Sequence, residues 1–86
     1  MKPEALLARL RAGHMANVSL HDLERLAVAC GWRLVRITGS HRIYQHDAGA
    51  PPINLQRSRS GDAKKYQVKD LLDLIEQFDL RLRDER

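Results

Sequence analysis

In the stretch Thr38–His46, TGSHRIYQH, a short turn delivers His41 to the first position of a strand-like segment. Imidazole titrates near neutrality, so one such side chain can accept and return a proton at working pH. Few other reactive groups are present. The remaining histidines, His14, His21 and His46, lack the close spacings of zinc ligands, and neither a metal site nor a cofactor is read from them. Their residue types fit polar positions in helix, linker and turn. Cys30 is the single cysteine. It can form neither an internal disulfide nor a cysteine-based metal site, so packing near a helix end is its expected role. Ser40 precedes His41 directly, but strand neighbours point to opposite faces, so the two do not read as a hydrolase pair.

RNA is a polymer that so sparse a kit can cut. Its own 2′-OH attacks the adjacent phosphate once deprotonated, so the protein need not supply the nucleophile. A histidine base, with lysines or arginines for the charge developing on phosphorus, is enough. Spacing alone also fits a simpler reading, in which His41 is a polar strand end beside a turn.

The charge pattern bears on this choice. The net charge is +4. Between Trp32 and Lys69 stand eight bases and two acids, so that segment carries +6 while the rest of the chain carries −2. Positive charge is therefore concentrated around His41, where it would attract a polyanion. No apolar run reaches the ~20 residues of a membrane span, and the leucines of MKPEALLARLRAGH are interrupted by arginines as on an amphipathic helix. The expected location is the cytoplasm.

The elements that must position His41 follow from periodicity. Pro3 and the stripe Leu6, Leu7, Leu10 predict a short helix over 3–11. Ser19 is a good N-cap, with Asp22 three residues on. Leu20, Leu23, Leu26, Ala27 and Cys30 then form a helical stripe that Gly31 ends. WRLVRI (32–37) and HRIYQ (41–45) read as strands joined by TGS, and INLQ (53–56) as a short third strand. RSRSGDAKK reads as flexible. A last helix is expected from Tyr66 or Gln67, with Val68, Leu71, Leu72, Ile75 and Phe78 on its apolar face, and the tail RLRDER is expected to fray. The result is an α+β fold, α-α-β-β-β-α, in which the second and last helices cover one face of a three-stranded antiparallel sheet and the other face, or the rim by TGS, stays wet and basic.

Two stretches, GWRLVRITGSHRIYQ and INLQRSRSGDAKKYQVKDLLDLIEQF, resemble the two halves of the HicA toxins of bacterial toxin–antitoxin pairs. The likeness lies in a helix ending in glycine, a Gly-Ser-His turn between strands, then a glycine, a basic stretch, YQV and a leucine-rich helix. It runs from about Ser19 to Phe78. The resemblance implies a fold like a double-stranded-RNA-binding domain, mRNA cleavage as an endoribonuclease, His41 as the catalytic residue and a HicB-type antitoxin as partner. On that reading Gly39 and Ser40 shape the turn, and Arg36, Arg42, Arg57, Lys64 and Lys65 bind the RNA backbone. Residues 19–80 would form the toxin domain, 1–18 an added helix and 81–86 a charged tail. A non-catalytic RNA-binding module and a basic protein-docking domain are the alternatives. Many HicA proteins carry Pro-x-His in the third strand. NLQ stands here instead, so no second catalytic histidine is carried over.

Overall fold

The computed structural model describes residues 1–83 and orders the chain as α1 (Pro3–Arg11), α2 (Leu20–Ala29), β1 (Trp32–Thr38), β2 (His41–His46), β3 (Ile53–Gln56) and α3 (Lys65–Gln77). The strands form one antiparallel meander in the order β1-β2-β3. Trp32, Tyr44 and Leu55 are buried with apolar residues of all three helices, including Leu10, Leu23, Leu26, Leu71 and Ile75. The fold is thus the expected α+β sandwich in a double-stranded-RNA-binding-like arrangement, with the helices on one side of the sheet. No helix among the described residues is long and apolar enough to cross a membrane.

Local chemistry accounts for the element ends. Ser19 is the N-cap of α2, and its side chain accepts a hydrogen bond from Asp22 N at 3.0 Å. Gly31 closes α2 at φ +110°, and a Cβ there would stand 2.5 Å from His46 Nε2. Both conformation and space therefore demand glycine at this position. α1 is part of the core, because Leu6, Leu7 and Leu10 are all buried.

Several expectations are corrected. α3 begins at Lys65 with Lys64 as its N-cap. Phe78, expected on the apolar face, is the C-cap of α3 and is exposed. Segment 57–64 is tied down: bridges pair Ser19 with Asp62 and Arg57 with Ala63, and the Ser58 hydroxyl donates to Asp62 O at 2.7 Å. The start of the tail does not fray. Leu80 and Leu82 pack against the core, and Arg83 N donates to Ala29 O at 2.7 Å. Residues 84–86 of the expected tail lie outside the described residues.

Candidate active site

β1 and β2 are joined by the two-residue turn Gly39-Ser40, with Thr38 opposite His41. Gly39 has φ +60°, and Ser40 is not in the positive-φ region. That is the pattern of a II′ turn, whose twist suits a hairpin and whose first central residue is best a glycine. His41 therefore leaves the turn already in register.

Residues paired across an antiparallel ladder share a face of the sheet. The helices cover the face of Trp32, Tyr44 and Leu55. His41 belongs to the open face, together with its partner Gln56 and the pair Ile43–Asn54. The register shifts between Leu34 and Arg36, leaving Val35 as a bulge. The bulge reverses the alternation, so Arg33, paired with Gln45, and Arg36, paired with Ile43, both stand on the open face with His41.

The His41 ring is exposed, and its Nδ1 lies 3.2 Å from Asn54 Oδ1. Gln56 Nε2 donates to Ser40 Oγ at 3.3 Å, which ties the hairpin turn to β3. Beside these residues a groove of about 490 Å³ runs between the outer edge of β3 and α3, lined by His41, Asn54, Gln56, Tyr66, Asp70 and Leu74 among others.

The expected RNA-binding bases separate into two groups. Arg57 follows β3 directly, and its bridge to Ala63 brings the start of α3, with Lys64 and Lys65, to the end of the sheet that holds Gly39, Ser40 and His41. Arg36, Arg57, Lys64 and Lys65 have no ion-pair partner among the described residues. Arg42 is placed differently. It is opposite Leu55, on the helix-covered face, and its Nη1 lies 3.4 Å from Glu24 Oε2. Glu24 also accepts the Tyr44 hydroxyl at 2.6 Å, and burial together with this bond pushes the Tyr44 phenol above its ordinary range. Arg42 thus belongs to a network that fastens α2 to the sheet.

His46, expected in a turn, is the last residue of β2. Its Nε2 donates to Cys30 O at 2.8 Å, its Nδ1 accepts from Ala48 N at 3.0 Å, and its ring meets Trp32 edge-on at 4.7 Å. Both nitrogens are committed to structure. His14 and His21 are exposed, on the α1–α2 connection and the outer side of α2. Cys30 is buried, as expected, and burial pushes its thiol up to about 11.

The sequence alone assigns no site role to Asn54, Gln56 or Gln67. The alternation of INLQ does place Asn54 and Gln56 on one face. Which residue of β2 they meet depends on the register, and the irregular loop between β2 and β3 does not disclose it.

Comparison with curated proteins and with solved structures finds no match. The sequence profile of the family described as "HicA toxin of bacterial toxin-antitoxin" matches residues 21–80, which take in α2 from its second residue, the whole sheet and α3. With that match over well above half of its length, and with Gly-Ser-His at the hairpin turn, the chain belongs to the HicA toxin family of bacterial toxin–antitoxin systems.

Proposed function

We propose that this toxin is an endoribonuclease that cleaves mRNA, with His41 as the proton-transfer residue. The observation that carries the reading is the setting of His41. It is exposed, anchored through Nδ1 alone among the described residues, and placed at the end of the sheet where the unpaired bases gather. The family match supports it independently, as HicA toxins are known as ribonucleases.

In this mechanism the phosphate backbone lies along the rim formed by Arg57, Lys64 and Lys65, with Arg36 on the open face. Ser40 Oγ accepts from Gln56, so its own proton remains available to a phosphate oxygen. His41 Nε2 takes the proton of a 2′-OH. The 2′-oxygen bonds to phosphorus, the P–O5′ bond breaks, and the 5′-oxygen takes a proton from the imidazolium or from water. The products are a 2′,3′-cyclic phosphate and a 5′-hydroxyl. The bases stabilise the extra negative charge on the phosphoryl oxygens as it develops. A nucleotide beside the scissile bond can enter the groove along β3, where Tyr66 is exposed as a stacking surface.

A toxin of this family works with an antitoxin. We assign the antitoxin contact to the same rim, through acidic residues that cover His41 and the Lys64–Lys65 region. Antitoxin and RNA should then exclude one another, and antitoxin binding should weaken with salt.

The test compares His41→Ala with wild type on a labelled transcript, with and without a chelator. General acid–base groups contribute about 10²–10⁴-fold, so cleavage should fall by that factor while RNA affinity changes little. A folded His41→Ala protein that cleaves at the wild-type rate refutes the assignment. Loss of binding along with cleavage would make His41 an RNA contact instead.

A further inference from the structure

The ring of His41 is held from one side. The oxygen at 3.2 Å from Nδ1 is Oδ1 of Asn54, an amide oxygen, which can only accept. A hydrogen bond between these two atoms therefore needs the hydrogen on Nδ1. The register explains how Asn54 reaches the ring. His41 is opposite Gln56 and Ile43 is opposite Asn54, so Asn54 is the diagonal neighbour of His41 on the open face.

We propose that Asn54 is a positioning residue that holds neutral His41 as the Nδ1–H tautomer and presents the lone pair of Nε2 to the groove beside β3. The inference rests on the reading of His41 as the proton-transfer residue, and it names the group that makes the ring competent for that role. An imidazole with no partner samples both tautomers and rotates freely. Only the tautomer with a bare Nε2, aimed outward, can take a proton from a substrate there.

His46, at the other end of β2, shows the opposite arrangement. Its Nε2 carries the hydrogen, donated to Cys30 O, and its Nδ1 accepts from Ala48 N. No ring nitrogen is left for a substrate. His41 has one nitrogen engaged and the other without a protein partner among the described residues.

The amide is also suited to this position by its neutrality. A carboxylate at residue 54 would orient the ring equally well. It would in addition favour the imidazolium and set a negative charge beside the scissile phosphate. Asn54 orients the ring without either effect.

The experiment reads the tautomer and the reaction separately. Imidazole nitrogen NMR of the full chain should show His41 with a protonated Nδ1 and a bare Nε2 above its titration. In Asn54→Ala the two tautomers should mix. Asn54→Asp should keep the wild-type tautomer while moving the titration midpoint to higher pH. Arg36 on β1 and Asp70 and Asp73 on α3 are unchanged in both variants, so any difference isolates residue 54. In cleavage assays, Asn54→Ala should lower kcat by about 10–100-fold, by analogy with the partners that orient metal-bound imidazoles, with KM little changed. Asn54→Asp should recover much of that loss, with the acid limb of its pH–rate profile displaced upward.

An Nε2-protonated wild-type ring overturns the proposal whatever the cleavage result. So does an Asn54→Ala protein with wild-type tautomer and wild-type kcat. If His41→Ala cleaves normally, the catalytic reading fails instead, and the spectrum still decides whether Asn54 holds the ring.

Discussion

Gln67 of α3 grips the backbone of Gln56 of β3. With its amide oriented to satisfy both atoms, Gln67 Nε2 donates to Gln56 O at 3.2 Å and Oε1 accepts from Gln56 N at 3.1 Å. The side chain thus completes the outward-facing ladder of an edge strand, as a neighbouring strand would. Gln56 is also the register partner of His41 and the donor to Ser40. This contact adds a direct hydrogen-bonded hold of α3 on the strand against which the candidate site is built. Gln67 is buried, so the contact is shielded from competing water.

Gln67→Leu should therefore be costly despite leaving volume nearly unchanged. It strips the partly buried N–H and C=O of Gln56 of their partner, which costs about 1–3 kcal/mol. Urea denaturation of the variant should show a lower midpoint with an unchanged slope. A midpoint equal to wild type would mean that water replaces the side chain without loss.

Replacing Lys64 and Lys65 together by alanine should weaken RNA binding evenly across sequences. Each lost phosphate contact should make the slope of log affinity against log salt shallower by about 0.7 on single-stranded RNA. The same titration on wild type supplies the reference. An unchanged slope would place both lysines off the RNA path.

Core and cap substitutions should rank by mechanism. Ser19→Ala removes the N-cap bond of α2 and should cost about 0.5–2 kcal/mol. Leu10→Ala empties a fully buried position on α1 and should cost about 2–5 kcal/mol. Thermal melts of the two variants test whether α1 is integral to the fold. A Leu10→Ala melt like wild type would make α1 a dispensable appendage.

Cys30 makes stability depend on alkaline pH. The thiol ionises near 9.0 in an ordinary setting, and burial pushes it up to about 11 in the folded chain. Between those values the unfolded chain binds fewer protons than the folded one, so stability falls as pH rises. The contribution is complete below 9.0 and is lost through that window. Cys30→Ala lacks it, so any stability advantage of wild type over the variant should shrink from pH 8 to pH 11. Tyr44 is shifted in the same direction by burial and by Glu24, so Tyr44→Phe serves as the parallel control at the alkaline end. A constant difference between wild type and Cys30→Ala would show that the thiol ionises alike in both states.

What could be read from the sequence here is what local chemistry dictates. The stripe Leu20, Leu23, Leu26, Ala27 forces an amphipathic helix, Ser19 and Gly31 mark its ends, and Gly39-Ser40 sets the hairpin. These signals act over a few residues and do not wait for a partner. They were enough for the element order, the layering and the position of His41 at the hairpin. The partners of individual polar residues were decided elsewhere. Arg42 and Arg36 look equivalent in a list of bases, yet the bulge at Val35 and the strand register put Arg36 on the open face and tie Arg42 to Glu24 beneath the helices. His41 and His46 bound the same strand. Only the approach of Cys30 O and Ala48 N commits His46 to structure, and only the register of β3 brings Asn54 to His41. A side chain's type sets which bonds it can make. The partner that arrives depends on pairings between segments distant in sequence, and those exist only once the sheet has closed and the helices have packed on it.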